Sequence, residues 1–285
     1  MPVDFRYHLA SLVAVFCALL IGILLGIALV GDPSLPSQLR AFKQQRSDMQ
    51  RRIEKLEKSG DNSRAFGKQI LPYLTERRLR GTRVAVLLNR DLSDTPWVES
   101  VITTIGQAGA QVLSNTSILP SFLELDREDA AKVLEESDLP VPVVGDLRGI
   151  VAGKMVVRIA EGRADLPYRL RQLGLIGVAG DYSQAAHVVL LVGGTDSDFS
   201  SVNAIDLPMI RALQEAGQRV VACESSEARV SAMHHYQRRA ISTVDNADTA
   251  AGHLALVLVL AGADGDFGVK STADQLLPEL TPSWR

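Results

Sequence analysis

The chain predicts an α/β protein with an N-terminal transmembrane helix, a coiled-coil stalk and a Rossmann-like or flavodoxin-like parallel-sheet domain. Three observations carry that prediction. Residues 9–30 hold no charged side chain. Between Leu35 and Leu56, residues that are apolar except for Arg46 recur at alternating steps of four and three. From residue 81 onward, short apolar runs bounded by Gly, Asn and Asp alternate with helical stretches, the pattern of βαβ units. The boundaries are a short tail over 1–8, a transmembrane helix over 9–30, a helical stalk over 34–80 and a soluble α/β domain over 81–285.

Composition sets limits. The 285 residues, 46% of them apolar, suffice for one membrane helix and a sizeable core. A net charge of −3 argues against nucleic acid as a partner. Cys17 and Cys223 are the two cysteines, and Cys17 sits inside the apolar run, so no internal disulfide framework is expected.

The apolar run, Leu9 to Val30, has the length that a helix needs to cross a bilayer, about 20 residues. A cleaved signal peptide is the alternative. Its apolar core usually runs to about 7–15 residues, and the small-x-small site here, Gly26-Ile27-Ala28, lies inside the run. Arg40, Lys43 and Arg46 after the helix, against Arg6 before it, would place the C-terminus in the cytoplasm by a positive-inside count. That count is weak here, because long domains translocate largely regardless of such charges. Ala14, Ala18, Gly22 and Gly26 recur every four residues and line one face, with a GxxxG at the end. Small residues let two helix backbones approach in lipid, which predicts a dimer face. Arg6, Tyr7 and His8 read as interfacial anchors.

Gly31-Asp32-Pro33 breaks the chain. The heptad residues Leu35, Leu39, Phe42, Arg46, Met49, Ile53 and Leu56 then predict a coiled-coil seam whose polar member, Arg46, sets register. Such a stalk would extend about 30 Å. The alternative is an amphipathic helix folded against the soluble domain. Ser59–Ser63 reads as a loop or stutter, followed by a second helix with Phe66, Ile70, Leu71 and Leu74 inward.

In the soluble domain, Arg83–Leu88, Gln111–Leu113, His187–Val192, Gln218–Cys223 and Ala240–Val244 read as strands. Pro96–Ala108, Phe122–Glu136, Leu147–Glu161, Ala204–Ala216 and Asn246–Ala261 read as helices. Leu254–Ala261 is too short to span a bilayer and reads as core. Open parallel sheets bind ligands at the C-terminal ends of their strands. The loop Gly193–Phe199 occupies such a place, but it matches neither GxGxxG nor a P-loop, and Asp196 and Asp198 would repel phosphate. With Asp181 these carboxylates read as solvated loop residues.

No nucleophile elbow, HExxH or CxxC occurs, so no enzyme is expected. One cluster of soft ligands exists: Met233 and His234, beside His235, with Cys223 ending the preceding strand. Thioether, thiolate and imidazole suit copper, so copper is the metal this trio would take. Against it, neighbouring helical residues diverge by about 100°, and Met233 would also serve as packing.

The string Asp4-Phe-Arg-Tyr-His-Leu-Ala-Ser-Leu-Val-Ala-Val-Phe16, running into Ile21-Gly-Ile-Leu-Leu-Gly26, resembles the opening of the bacterial copper transport family typified by the mycobacterial copper transport protein B. The likeness extends through the heptad helix, Arg83–Leu88 and Gly265–Pro278. It implies a single-pass anchor, a coiled coil, an extracytoplasmic α/β domain and a role in copper homeostasis. A corynebacterial branch implies a second possibility, a septal scaffold that partners an envelope protein and regulates a cell-wall hydrolase through its coiled coil. The expectations are therefore a non-enzymatic, bilayer-anchored homodimer at the cell membrane. One spanning helix and no β-barrel alternation mean that one chain forms no pore by itself.

Overall fold

The computed structural model describes residues 5–30, 34–88, 95–194 and 201–279. The chain divides into two units, Met1–Ser63 and Arg64–Arg285.

The first unit holds helix α1, Phe5–Val30, and most of helix α2, Ser34–Thr75. Within α1, the 22 residues Tyr7–Ala28 have a mean hydropathy of 2.8 and are long and apolar enough to cross a membrane. Their apolar side chains face outward, Leu12 and Leu24 being 59% and 62% exposed. In water that surface would be costly, which is the physical signature of a segment built for an apolar medium.

Helix α2 corrects the expectation of a break. Residues 59–63 are helical, and no second helix starts after them. Gly, Asp, Asn and Ser are poor helix formers, but each costs at most about 1 kcal/mol, and extending an existing helix gains a hydrogen bond per residue. The Ser63 hydroxyl donates to the Ser59 carbonyl at 3.0 Å within this stretch. Pro72, which cannot continue the backbone ladder, sits one turn before the end at Thr75. Of the residues expected inward, Leu71 and Leu74 are half-buried, but Phe66 and Ile70 are exposed.

The second unit is built on seven strands: β1 Arg83–Leu88, β2 Gln111–Ile118, β3 Ile176–Gly180, β4 Val188–Val192, β5 Arg219–Cys223, β6 Ser242–Val244 and β7 Asp266–Phe267. Their order is β3-β2-β1-β4-β5-β6-β7. All neighbours pair in parallel except β2 and β3, whose register sets Ser114 opposite Gly180 and Ile118 opposite Ile176 antiparallel. The fold is thus α/β with a mixed, mostly parallel sheet.

Strand side chains alternate between two cores, one on each face. Val84, Val86, Leu88, Leu190 and Cys223 meet helices α3, Pro96–Gln107, and α10, Ala250–Leu260. Ala85, Leu87, Leu191 and Ala222 meet the other face. That face is covered by α4 Pro120–Glu124, α5 Arg127–Glu135, α6 Leu147–Glu161, α7 Asp165–Gln172, α8 Leu207–Glu215 and α9 Met233–Gln237.

Several boundaries differ from the sequence reading. The single helix expected over 122–136 is two, because Asp126 starts α5 by accepting the Asp129 amide at 2.9 Å. Strand β2 runs on through Ser114-Asn-Thr-Ser117, since Thr116 is buried and shares a 2.7 Å hydrogen bond with the Tyr182 hydroxyl. A π-helical turn, Val202–Asp206, precedes α8. Helix α10 starts at Ala250, where Thr249 accepts the Gly252 amide at 3.0 Å.

Candidate functional site

Strand order reverses between β1 and β4, so the crevice of this doubly wound sheet lies at their C-terminal ends. Residues 89–94 and 195–200 leave those ends and lie outside the described residues, and with them Asp196, Asp198 and Phe199 of the Gly193–Phe199 loop. What is described there is the floor. A Cβ on Gly193 would stand 2.6 Å from the Tyr236 hydroxyl, so only glycine lets β4 run under that ring. Tyr236, on α9, donates to Asp206 Oδ2 at 2.5 Å. Burial pushes the Asp206 carboxyl up to about 7, while the tyrosine hydrogen bond pulls it down; the Tyr236 phenol is itself pushed up, chiefly by burial.

Beside this pair, Glu224 follows β5 and is fully buried. Lys270 Nζ reaches its Oε1 at 2.6 Å, Ser231 Oγ donates to the same oxygen at 2.5 Å, and the Ala232 amide donates to Oε2 at 3.0 Å. Burial raises the Glu224 carboxyl above its ordinary range, and Lys270 and Ser231 work against that rise. At the end of β6, Asp245 accepts the amides of Val269 and Lys270 at 2.7 and 3.0 Å. The network ties the ends of β5, β6 and β7 together. Both oxygens of Glu224 are engaged, so it offers structural cross-linking rather than an exposed acid–base pair.

The trio named for copper is not brought together. Cys223 is fully buried in the core under α3 and α10, and burial pushes its thiol up. Met233 is fully buried in the core on the opposite face. His234 is exposed and His235 half-buried. Among the described residues no group of three or more His, Cys, Asp and Glu is placed to hold a metal ion. Asp181 is exposed and closes a local turn, accepting from the Ser183 amide and hydroxyl and from Gln184; these bonds lower its carboxyl.

The expected dimer residues form exposed faces. Ala14, Ala18, Gly22 and Gly26 are exposed, and a Cβ on either glycine would meet nothing within 4 Å. Phe42, Met49, Ile53 and Leu56 are 70%, 57%, 45% and 71% exposed, and Arg46 is exposed beside them. Leu35 and Leu39 lie on α2, but their side chains are outside the described residues.

Sequence reasoning missed Asp206, Tyr236, Glu224, Asp245 and Lys270. The available signal was a carboxylate directly after an apolar strand, as in Cys223-Glu224 and Val244-Asp245.

The family described as copper transport outer membrane protein, MctB, matches residues 2–278. The copper transporter MctB of Mycobacterium tuberculosis (strain ATCC 25618 / H37Rv) is 26% identical over 90% of this chain and 92% of its own length. That of Mycobacterium leprae (strain TN) is 26% identical over 94% of this chain and 96% of its own. The matched span takes in the apolar helix, the long helix α2 and all seven strands, and on that extent the chain belongs to the MctB copper transport family.

Proposed function

We propose that this protein is a single-pass, membrane-anchored, non-enzymatic component of copper homeostasis, with the α/β domain on the extracytoplasmic side. Residues 9–30 are the anchor, 34–80 the stalk and 81–285 the recognition domain. The observation that carries the reading is the family match over residues 2–278, anchor included. The outward-facing apolar helix over Tyr7–Ala28 supports it. Homodimerisation through α1 and the exposed stripe of α2 belongs to the same reading.

The separation of Cys223 and Met233 by the sheet favours copper handling through an assembly or partner over a site within one chain. The exposed stripe on α2 also favours a second reading, an envelope scaffold that governs a cell-wall hydrolase through this helix.

The test is deletion in the host with cellular copper measured by mass spectrometry. Deletion changes copper content, the full chain restores it, and a chain lacking residues 1–30 does not. Unchanged copper on deletion overturns the copper role. Restoration by the truncated chain overturns the anchor.

A further inference from the structure

We propose that residues 42–56 of α2 pair with the same residues of a second copy as a parallel, in-register zipper that ends at Leu56. The parallel sense rests on the anchored reading above, since two chains inserted alike in one bilayer have parallel stems.

The side-chain types fit a two-stranded pairing. Alternating steps place Phe42, Met49 and Leu56 at d positions and Arg46 and Ile53 at a positions. A β-branched residue at a with leucine at d, as in Ile53 and Leu56, favours two strands. Arg46 fixes register: in register the two arginines share one layer and reach outward to water, whereas a one-heptad slip buries each against the apolar layer of Ile53 or Leu39.

Charge on the flanks agrees. Arg52 stands at a g position and Glu57 at the following e position, which face each other between parallel chains. Neither forms an ion pair within its own chain among the described residues. The preceding g and e residues, Gln45 and Gln50, are neutral, so neither flank sets like charges together.

The interlocking side chains then run out. The same spacing continues through Gly60, Ser63 and Gly67, residues too small to interlock with a partner. A Cβ on Gly67 would stand 2.9 Å from the Ala250 Cβ of α10, so this part of the helix lies close against its own domain. Leu71 and Leu74 are half-buried and Thr75 is fully buried on the turns that follow.

Cysteine cross-linking of the full chain in native membranes tests this, in a Cys17→Ser background that leaves only the buried Cys223. Met49→Cys and Leu56→Cys form homodimer disulfides under mild oxidant, while Arg51→Cys and Lys58→Cys on the outer face, and Ser63→Cys past the end, do not. Arg52→Glu and Glu57→Arg each weaken dimerisation roughly tenfold, two pairs turning from attraction to repulsion, and the two together restore it. Equal cross-linking at all five positions overturns the proposal, as does none at Met49 and Leu56, or capture of a different protein there. A carbonate wash reads the anchor separately. Retention in the membrane without seam disulfides removes the zipper and keeps the anchor, and the reverse pattern removes the anchor and keeps the zipper.

Discussion

Tyr236 donates its phenolic proton to Asp206 across 2.5 Å, and both side chains are buried. The carboxyl belongs to the π-helical turn before α8, and the phenol to α9, so the bond fastens two elements of one face. Near Asp206 Oδ2 the described residues offer this hydroxyl and no cation.

The pH dependence follows from that burial. The folded Asp206 carboxyl holds its proton up to about 7, against an ordinary value of 3.8. Between those values the folded state binds a proton that the unfolded state has released, so stability falls as pH rises through this window. The wild-type chain in detergent therefore loses thermal stability from pH 5 to pH 8, and Asp206→Asn flattens that loss by an amount on the order of a few kcal/mol. Thermal melts at the two pH values, compared between the proteins, check it. An unchanged slope in the variant would show that Asp206 does not titrate there.

Removing Lys270 strands a buried charge. Lys270→Ala leaves Glu224 without its cation and costs about 3–5 kcal/mol. Adding Glu224→Gln recovers most of the loss, because the neutral amide no longer needs that partner while its oxygen still accepts from Ala232. Denaturant unfolding of the single and double variants measures this coupling.

Gly268 has no room for a side chain. Its φ is +145°, and a Cβ would lie 1.9 Å from Asp245 Oδ1, the oxygen that accepts the Val269 amide. Gly268→Ala must displace that carboxylate, and a loss of about 3 kcal/mol or more is expected, at the upper end for a single substitution. Proteolysis after β7 rises in parallel.

Met233 and His234 are sequence neighbours with opposite surroundings. Met233→Ala opens a cavity in the core and costs about 2–5 kcal/mol. His234→Ala removes an exposed ring and stays within about 0.5 kcal/mol. Copper(I) titration of the full chain in detergent distinguishes ligand loss from folding loss, since His234→Ala alters binding only if the ring is a ligand.

The sequence was most legible where apolar pattern decides structure. The bounds of α6 and the run of β4 read directly from their hydrophobic periodicity, as did the apolar helix. Strand β3, Ile176-Gly-Val-Ala-Gly180, was hidden by its two glycines and its half-exposed pattern, and β7 is two residues long. The continuity of α2 through Gly60 was masked by local propensity. Sequence adjacency misled at the copper trio: Cys223 and Met233 are close along the chain, but the strand turns Cys223 to one face of the sheet and α9, which carries Met233, packs on the other. Glu224 and Lys270 lie far apart in sequence, and only the parallel order β5-β6-β7 brings them together.

The two edges of the sheet carry a consequence for life at a crowded surface. On the proposed anchoring, chains tethered to one membrane meet each other at local concentrations far above those in free solution, and an open strand edge is then a template for runaway stacking. Here one rim, β7, is two residues long, and the other, β3, is short, reversed in direction and interrupted by Gly177 and Gly180. Neither presents the long, flat, apolar ladder that such stacking needs. The sheet is blunted on both sides, so neighbours can crowd without fusing.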